Sequence, residues 1–534
     1  MVRKLVLYFL LLFFSNSKIF SQISISNDIL NYNKLRIAQL INLDSNNSNN
    51  NISFLIKSTQ NLDNLANPKY YNSSRLRLQN FKASVEVQNN SHLPYGYNDG
   101  SMFPAIGIQK RLSFGFLVKN DFLEFNLQPE FVQAVNNKPD LFKGNPIDGN
   151  YWARYYFINS NYIDNYSQFG TNKIFYNSIG QSRIGYRKNK HSFGLSNENI
   201  WWGPGILNSL IFTNHAPGFK HIYLQTNKPL KSKFGSLEYN FIGGTLKNIL
   251  PNNQDDSLMS TIWPGGILSK KNIDRIIISG IAVFQPKIIP NFYIGFAFSS
   301  QNYMDTSFLK TKYQNIKSLM IRYAMPNDHA EFYGEFGYTN TIPGFVIGGK
   351  KIFTNNKKTY YEIGIECTQL GIMDPRKIFV INDVFGPPQR NSWYTNTSIL
   401  QGYTNNAQIL GAGIGPGSNS QTLYFKYIRN KSKIGIQFER VNHNTDFYYY
   451  SYLSKIGNGI YNAYYVDLNS GLHYELKLSE SINFSAFFNY SKIMNYRWVR
   501  INDGSSSYNG SALSDKINIL SNFSLIYKFE NIHK

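Results

Sequence analysis

From about residue 112 to the C-terminus, apolar and polar residues alternate in short runs separated by polar turns. In one pair of runs, Phe114, Phe116 and Val118 lead into a turn at Lys119 to Asp121. Beyond it Leu123, Phe125, Leu127 and Phe131 share one face, while Glu124, Asn126, Gln128 and Glu130 share the other. Side chains on a strand point alternately to opposite faces, so a period of two writes one apolar and one polar face. The pattern returns at Phe292, Ile294, Phe296 and Phe298, and at Leu472, Tyr474, Leu476 and Leu478 opposed by His473, Glu475 and Lys477. It continues at Phe484, Ala486, Phe488 and Tyr490. A last run sets Ile517, Ile519, Phe523, Leu525, Tyr527 and Phe529 against Asn518, Asn522, Ser524 and Lys528. A large sandwich or propeller shares this periodicity, but the polar face is too charged for a sandwich core. An apolar exterior around a wet interior satisfies both faces and predicts an all-β fold, a transmembrane antiparallel β-barrel. Strands of about 10 residues with their turns occupy roughly 25 to 30 residues each, so about 440 residues supply 16 to 18 strands. The last run is suited to close on the first.

The N-terminus sets the compartment. Arg3 and Lys4 precede an unbroken apolar run from Leu5 to Phe14, too short to span a bilayer as a helix, and Ser21 is a small residue before Gln22. Residues 1–21 therefore read as a signal peptide, with the mature chain beginning at Gln22. The single cysteine among 534 residues, Cys367, excludes a disulfide framework and a multi-cysteine metal site, and lies too far from the signal to carry a lipid. Beyond the signal no stretch of about 18 consecutive apolar residues occurs, so membrane insertion requires a closed barrel. Aromatic residues make up 16% of the chain and charged residues also 16%, against about 25% charged in soluble domains. Tyr and Phe suit strands and membrane interfaces.

The formal net charge of +22 would suggest nucleic acid in a cytoplasmic protein. Export and the scattering of basic residues through turns such as Lys188 to Lys190 and Lys357 to Lys358 argue instead for anionic lipopolysaccharide or acidic glycans. Residues 22–95 differ from the rest. Ser26 and Asp28 can cap a short helix in which Leu30, Ile37 and Ile41 share a face, and Asn42 to Asn51 reads as a flexible loop. This segment is expected on the periplasmic side, as a plug or as an appendage packed beside the barrel, with the barrel occupying residues 96–534.

Common catalytic motifs are absent: no H-E-x-x-H, no G-x-S-x-G, no G-K-[ST] phosphate loop. In the glycine-rich run Gly411 to Gly417, Pro416 stands where a dinucleotide fingerprint needs its third glycine, so a tight turn explains it better. No cofactor or metal is expected. In Glu331-Phe-Tyr-Gly-Glu335, strand parity places Glu331, Tyr333 and Glu335 on the inner face and Phe332 and Phe336 outside. Two carboxylates could serve glycoside hydrolysis, but strand positions i and i+4 lie about 13 Å apart, beyond the roughly 6.5 to 9.5 Å of inverting enzymes. A structural network with inward Arg or Lys is the favoured reading, and Glu362, Glu366, Gln437 and Glu439 fall on inward faces by the same parity; Glu331, Tyr333 and Glu335 also stand as carbohydrate-binding candidates. Trp201, Trp202, Trp393 and Tyr394 sit among Gly, Asn and Pro, where aromatic faces can stack on sugar rings and amides can bind hydroxyls. Packing in a core or an interfacial girdle competes with that role for each of them.

Several runs together resemble the Wzi family of outer-membrane capsule assembly proteins, in the form common in Bacteroidetes. They are Tyr95-Gly-Tyr-Asn-Asp-Gly100, Glu198-Asn-Ile-Trp-Trp-Gly-Pro-Gly205, Asn208-Ser209 with Asn214-His-Ala-Pro-Gly-Phe219, Glu331-Phe-Tyr-Gly-Glu335, Trp393-Tyr394, Gln401-Gly-Tyr-Thr404 and Gly411-Ala-Gly-Ile-Gly-Pro-Gly-Ser-Asn419. The resemblance covers about residues 25 to 500. It implies an 18-stranded barrel with a periplasmic helical bundle, acting as a lectin that holds capsular polysaccharide or exopolysaccharide at the cell surface, with no enzymatic activity. The chain departs from the family pattern at Asn396, where His often follows Trp-Tyr-Thr, and at His215, which replaces the second Asn of Asn-Asn-Ala-Pro-Gly.

Two readings from different classes follow: a monomeric glycan-binding anchor in the outer membrane of a Gram-negative cell, and a porin or substrate-specific channel with the same inward charges. A barrel-embedded hydrolase stands third, because no nucleophile with a paired His is recognisable. The mature protein should begin at Gln22, fractionate with the outer membrane and migrate differently on gels with and without heating. Recovery as a soluble periplasmic protein would contradict the barrel.

Overall fold

The computed structural model describes residues 28–41, 77–138, 161–164, 172–248, 268–305, 313–339, 342–356, 359–371, 392–446, 464–498 and 515–530. Eighteen strands close into one antiparallel barrel. In chain order they are Arg77–Asn90, Gly107–Lys119, Leu123–Leu127 continued by Glu130–Ala134, Ile174–Ser178 continued by Arg183–Lys188, His191–Ser196, His221–Thr226 continued by Leu230–Lys231, Gly235–Leu246, Arg275–Pro286 and Phe292–Tyr303. The second half comprises Gln314–Met325, Ala330–Thr339, Ile342–Asn356, Thr359–Gln369, Asn419–Arg429, Ser432–Asn442, Val466–Lys477, Ile482–Met494 and Lys516–Glu530. Each strand pairs with its sequence neighbour, and the last returns to the first, with Asn90 opposite Leu520 and Val85 opposite Leu525. Closure leaves no row of unpaired backbone groups facing lipid, the condition for a sheet in a bilayer.

The faces follow the alternation. Phe114, Phe125, Phe131, Phe296, Leu472, Phe523 and Leu525 are exposed on the outer surface, whereas Glu124, Asn126, Gln128 and Glu130 are buried inside. One end of the barrel carries short turns, such as Asn189 with Lys190 and Asn430 with Lys431, where Asn189 and Asn430 take the positive φ that two-residue hairpins demand. The first strand begins and the last strand ends at this same end. In outer-membrane barrels the short turns face the periplasm and the longer loops face outward. The chain is an outer-membrane β-barrel.

Three expectations need correction or completion. The barrel begins at Arg77, within the stretch 22–95 expected on the periplasmic side. Small Ala83 and a register shift between Leu78 and Asn80 interrupt the apolar rhythm of this strand and hide it from a periodicity argument. The interior is also not uniformly wet. Segments 91–106, 197–220 and 392–418 fold inward, and Trp202, Leu210, Phe212, Trp393, Tyr394 and Tyr403 from them join inward-facing Ile242, Ile277, Ile281, Ile316, Met320 and Val346 in an apolar core. Wall positions turn apolar where a loop must pack against them.

The N-terminal helix, Asp28–Leu40, sits within the short-turn mouth. Ile37, Leu40 and Ile41 pack on inward-facing Ala324 and Ile352, so the helix lies inside this mouth against the wall and is not an external appendage. Ser26 and the signal segment lie outside the described residues, as does the side chain of Leu30.

The facing is testable on the closing strand. Leu525→Arg should cost about 2 to 4 kcal/mol if it lies near the bilayer midplane, measured by urea unfolding in lipid, whereas Ser524→Arg, which projects inward, should be tolerated. Equal damage from both would contradict the assignment.

Candidate functional site

The inner face of Ala330–Thr339 organises the lumen. Glu331, Tyr333 and Glu335 are buried, while Phe332 and Phe336 are exposed on the opposite face. Glu331 is held by three cations: Arg36 Nη2 at 2.7 Å, Arg322 Nη2 at 2.7 Å and Lys350 Nζ at 3.3 Å. Arg36 comes from the helix and also donates to the carbonyl of Pro204 at 2.7 Å. Glu335 accepts from Ser209 Oγ at 3.0 Å and from the Leu210 N–H at 3.1 Å. Tyr333 donates to Glu366 at 2.8 Å. Glu366 in turn accepts the successive N–H groups of Ile206, Leu207 and Asn208, at 2.7, 3.1 and 2.7 Å. Each carboxylate is thus engaged by groups of the chain itself, but only Glu331 meets the inward Arg and Lys expected from strand parity; Glu335 and Glu366 take hydroxyl and backbone N–H donors instead. Their use in capturing the 201–210 segment was not legible in the sequence.

The aromatic candidates divide. Trp393 and Tyr394 are fully buried and present no ring face to solvent. Trp393 Nε1 donates to Pro343 O at 3.1 Å, and its ring meets Tyr394 edge-on at 5.6 Å. Tyr394 donates to Leu210 O at 3.0 Å and accepts the Ala412 N–H at 2.8 Å, tying the 392–418 and 197–220 segments together. The glycine run serves the same junction. A Cβ at Gly411 would stand 2.4 Å from Tyr394 Oη, and one at Gly413 would stand 2.5 Å from His215 Nδ1. Close approach of two loops, rather than a turn alone, demands these glycines. Burial pushes the His215 imidazole down to about 4, so it is neutral at physiological pH.

Trp201 and Trp202 are also buried, Trp202 edge-on to Phe212 at 5.1 Å, but both border a cavity. This cavity has a volume of about 460 Å3. Its roof is formed by Tyr97 to Gly100 and by the Ile200–Leu207 region, and it extends along the wall to Lys426, Lys433 and Glu475 near the short-turn end. The roof is tied down by hydrogen bonds of 2.8 Å from Tyr97 Oη and Asn98 Nδ2 to Leu207 O, and of 2.7 Å from the Gly100 N–H to Asn214 O. The arginines and lysines that line it are paired: Arg111 with Glu86, Arg183 with Glu124 and Glu198, Lys426 with Glu362 at 3.3 Å, Lys433 with Glu475 at 2.5 Å. Burial raises the Asp99 carboxyl to about 7, against the lowering effect of Gln88 and Arg111.

A second, smaller recess of about 110 Å3 lies at the long-loop end. His443 stacks on Tyr465 at 4.3 Å and pairs with Asp467 at 2.8 Å, and Tyr496 meets Tyr465 edge-on at 5.8 Å. Sequence reasoning missed this cluster. Its signal is the placement of aromatic residues at strand ends that border long connections. Among the described residues no group of His, Cys, Asp and Glu is placed to hold a metal ion.

No family model and no curated protein sequence matches the chain. Among solved structures it is similar to Wzi of Escherichia coli, an outer-membrane protein involved in group 1 capsule assembly and a carbohydrate-binding β-barrel. That likeness has a TM-score of 0.55 at 11% identity over 95% of this chain and 94% of Wzi. OccK5 of Pseudomonas aeruginosa aligns with a TM-score of 0.40 at 9% identity over 85% of this chain and 98% of its own. OprD of the same organism gives 0.38 at 10% identity, over 85% and 94%. At these identities the likeness to Wzi shows the fold, a closed outer-membrane barrel.

Glu366→Ala should strip a charged acceptor from three backbone N–H groups and lower stability by at least about 3 kcal/mol, at roughly 1.5 to 3 kcal/mol per charged hydrogen bond. Denaturant titration of the detergent-folded protein checks this. A loss under about 1 kcal/mol would mean that the 206–208 segment does not depend on the carboxylate.

Proposed function

We propose that this chain is a Wzi-type lectin of the outer membrane, which holds capsular polysaccharide or exopolysaccharide at the cell surface without transforming it. The observation that carries the reading is the filled lumen: an apolar loop core in the middle and outer part, and a helix clamped by Glu331 in the periplasmic mouth. A porin needs a continuous wet passage, and bulky Trp202, Phe212 and Trp393 occupy that space. The motif runs that resemble the Wzi family support the same reading, because they supply the loops of this core. An enzyme is disfavoured because Glu331, Glu335 and Glu366 are engaged by cations and backbone N–H groups, which leaves none of them as an acid or base facing a substrate.

For an extended surface glycan, the recess at the outward end sets half-buried His443 and the largely buried Tyr465 and Tyr496 beside polar groups. The positive charge of the chain favours contact with anionic lipopolysaccharide and acidic polymers. Deleting the protein should release polysaccharide into the medium without abolishing its synthesis, and Tyr465→Ala should reproduce part of that release. Cell-bound and shed polysaccharide are measured side by side. An unchanged cell-bound fraction in the deletion strain would end the anchoring reading.

A further inference from the structure

The lipid-facing positions of the strands carry cations and no carboxylate. Among the described residues every strand Asp and Glu projects inward, so the outer wall offers its own basic residues no counter-charge. Lys110, Lys220, Lys317, Arg440 and Lys492 are exposed on that wall, each within four residues of the outward end of its strand. A cation is costly in hydrocarbon and tolerated at the headgroup level, so these side chains mark the outer interface of the bilayer. The anion that meets them must come from the membrane.

Two of the five belong to one spot. Register pairs Arg440 with Leu468 and Leu468 with Lys492 across the adjacent strands Ser432–Asn442, Val466–Lys477 and Ile482–Met494. Their Cα atoms are therefore two strand spacings apart, about 10 Å, with exposed Leu468 between them. Arg440 Nη1 donates to Gln421 Oε1 at 3.0 Å, on the side away from Lys492, and keeps further N–H groups for a ligand. Neither cation has a carboxylate opposite it in register. The two positive groups thus span a headgroup of sugar size. On the same three strands, nearer the midplane, Phe438, Tyr490, Ile436, Leu472 and Phe488 are exposed and form an apolar lane beneath the cations.

We infer that Arg440, Leu468 and Lys492 form a docking site for lipopolysaccharide of the outer leaflet, held through the phosphate on its lipid-linked sugars, with its acyl chains along the lane beneath. Charge complementarity and level select this occupant. Phospholipid of the inner leaflet meets the opposite end of the barrel, and a lipid-free acidic polymer would leave the lane unused. The contact goes beyond polysaccharide anchoring and is separate from it in space: Glu439, Val441 and Asp467 line the outward recess from the inner side of the same strand ends, whereas Arg440 and Leu468 face lipid.

The test uses the full chain, purified in detergent and depleted of lipid, with four probes: lipopolysaccharide from the same cells, the same material dephosphorylated, phosphatidylglycerol, and lipid-free acidic polysaccharide. Lipopolysaccharide should be retained best. Arg440→Gln and Lys492→Gln should each weaken its binding about fivefold and the double substitution about thirtyfold, the size expected for one and two cations at an anionic surface. Dephosphorylated material should bind the unmodified chain no better than lipopolysaccharide binds the double variant. Lys188→Gln at the short-turn end should change nothing, and every variant should keep heat-modifiable migration. Equal retention of phosphorylated and dephosphorylated material would overturn the inference, as would phosphatidylglycerol binding as tightly as lipopolysaccharide. So would a double variant that still holds lipopolysaccharide, or one that loses only the lipid-free polysaccharide, which would assign the row to the glycan instead.

Discussion

A carboxylate buried inside a barrel must find its counter-charges and donors within the protein, and the interior of this one is arranged around that requirement. Glu331 gathers Arg36, Arg322 and Lys350; Glu335 and Glu366 take backbone N–H groups from the 206–210 segment. Leaving any of these charges unpaired costs several kcal/mol, so helix, loop and wall are committed to one arrangement. Arg36 is the joint between them, since it binds Glu331 on the wall and Pro204 on the loop from its place on the helix. The 201–210 segment so held presents Leu210 O to Tyr394, and the 392–418 segment docks on it. Buried Arg275 extends the same logic by donating to the carbonyls of Gly402 and Thr404 at 2.6 and 2.9 Å.

Loop capture changes what the interior can be. A porin-like wall lined only by polar residues would leave a channel, whereas loops that enter the lumen need an apolar core of their own. Ile277, Ile281, Ile316 and Met320 provide it at inward positions of their strands. The rest of the wall, from Asn419–Arg429 round through Gly107–Lys119 to Gly235–Leu246, carries paired charges and amides along the cavity. One barrel therefore has a dry sector on which the inward loops pack and a polar sector that borders the cavity.

Strand parity made much of the fold legible. Glu124, Asn126 and Glu130 face inward and Phe114, Phe125 and Leu525 outward as the alternation requires, because a closed sheet in lipid fixes the sense of every pair of faces. Parity also placed Glu331, Tyr333, Glu335 and Glu366 in the lumen. It could not name their partners, since Arg36 lies almost 300 residues from Glu331 and the joining segments are loops without a period. The first strand was hidden by its bulge. The roles of Trp393 and Tyr394 were ambiguous for a physical reason: a ring among Gly, Asn and Pro looks the same in sequence whether it stacks on a sugar or on Tyr403, as Tyr394 does at 6.0 Å.

The account stands on the claim that carboxylate-held loops and the helix seal the lumen, so that the barrel binds and does not conduct. Single-channel recording of the purified full chain in planar bilayers tests this most directly. The sealed lumen should pass little current, with rare and brief openings. A steady ohmic conductance of porin size in the unmodified chain would show that the plug does not close the barrel, and would move the channel reading ahead of the glycan anchor.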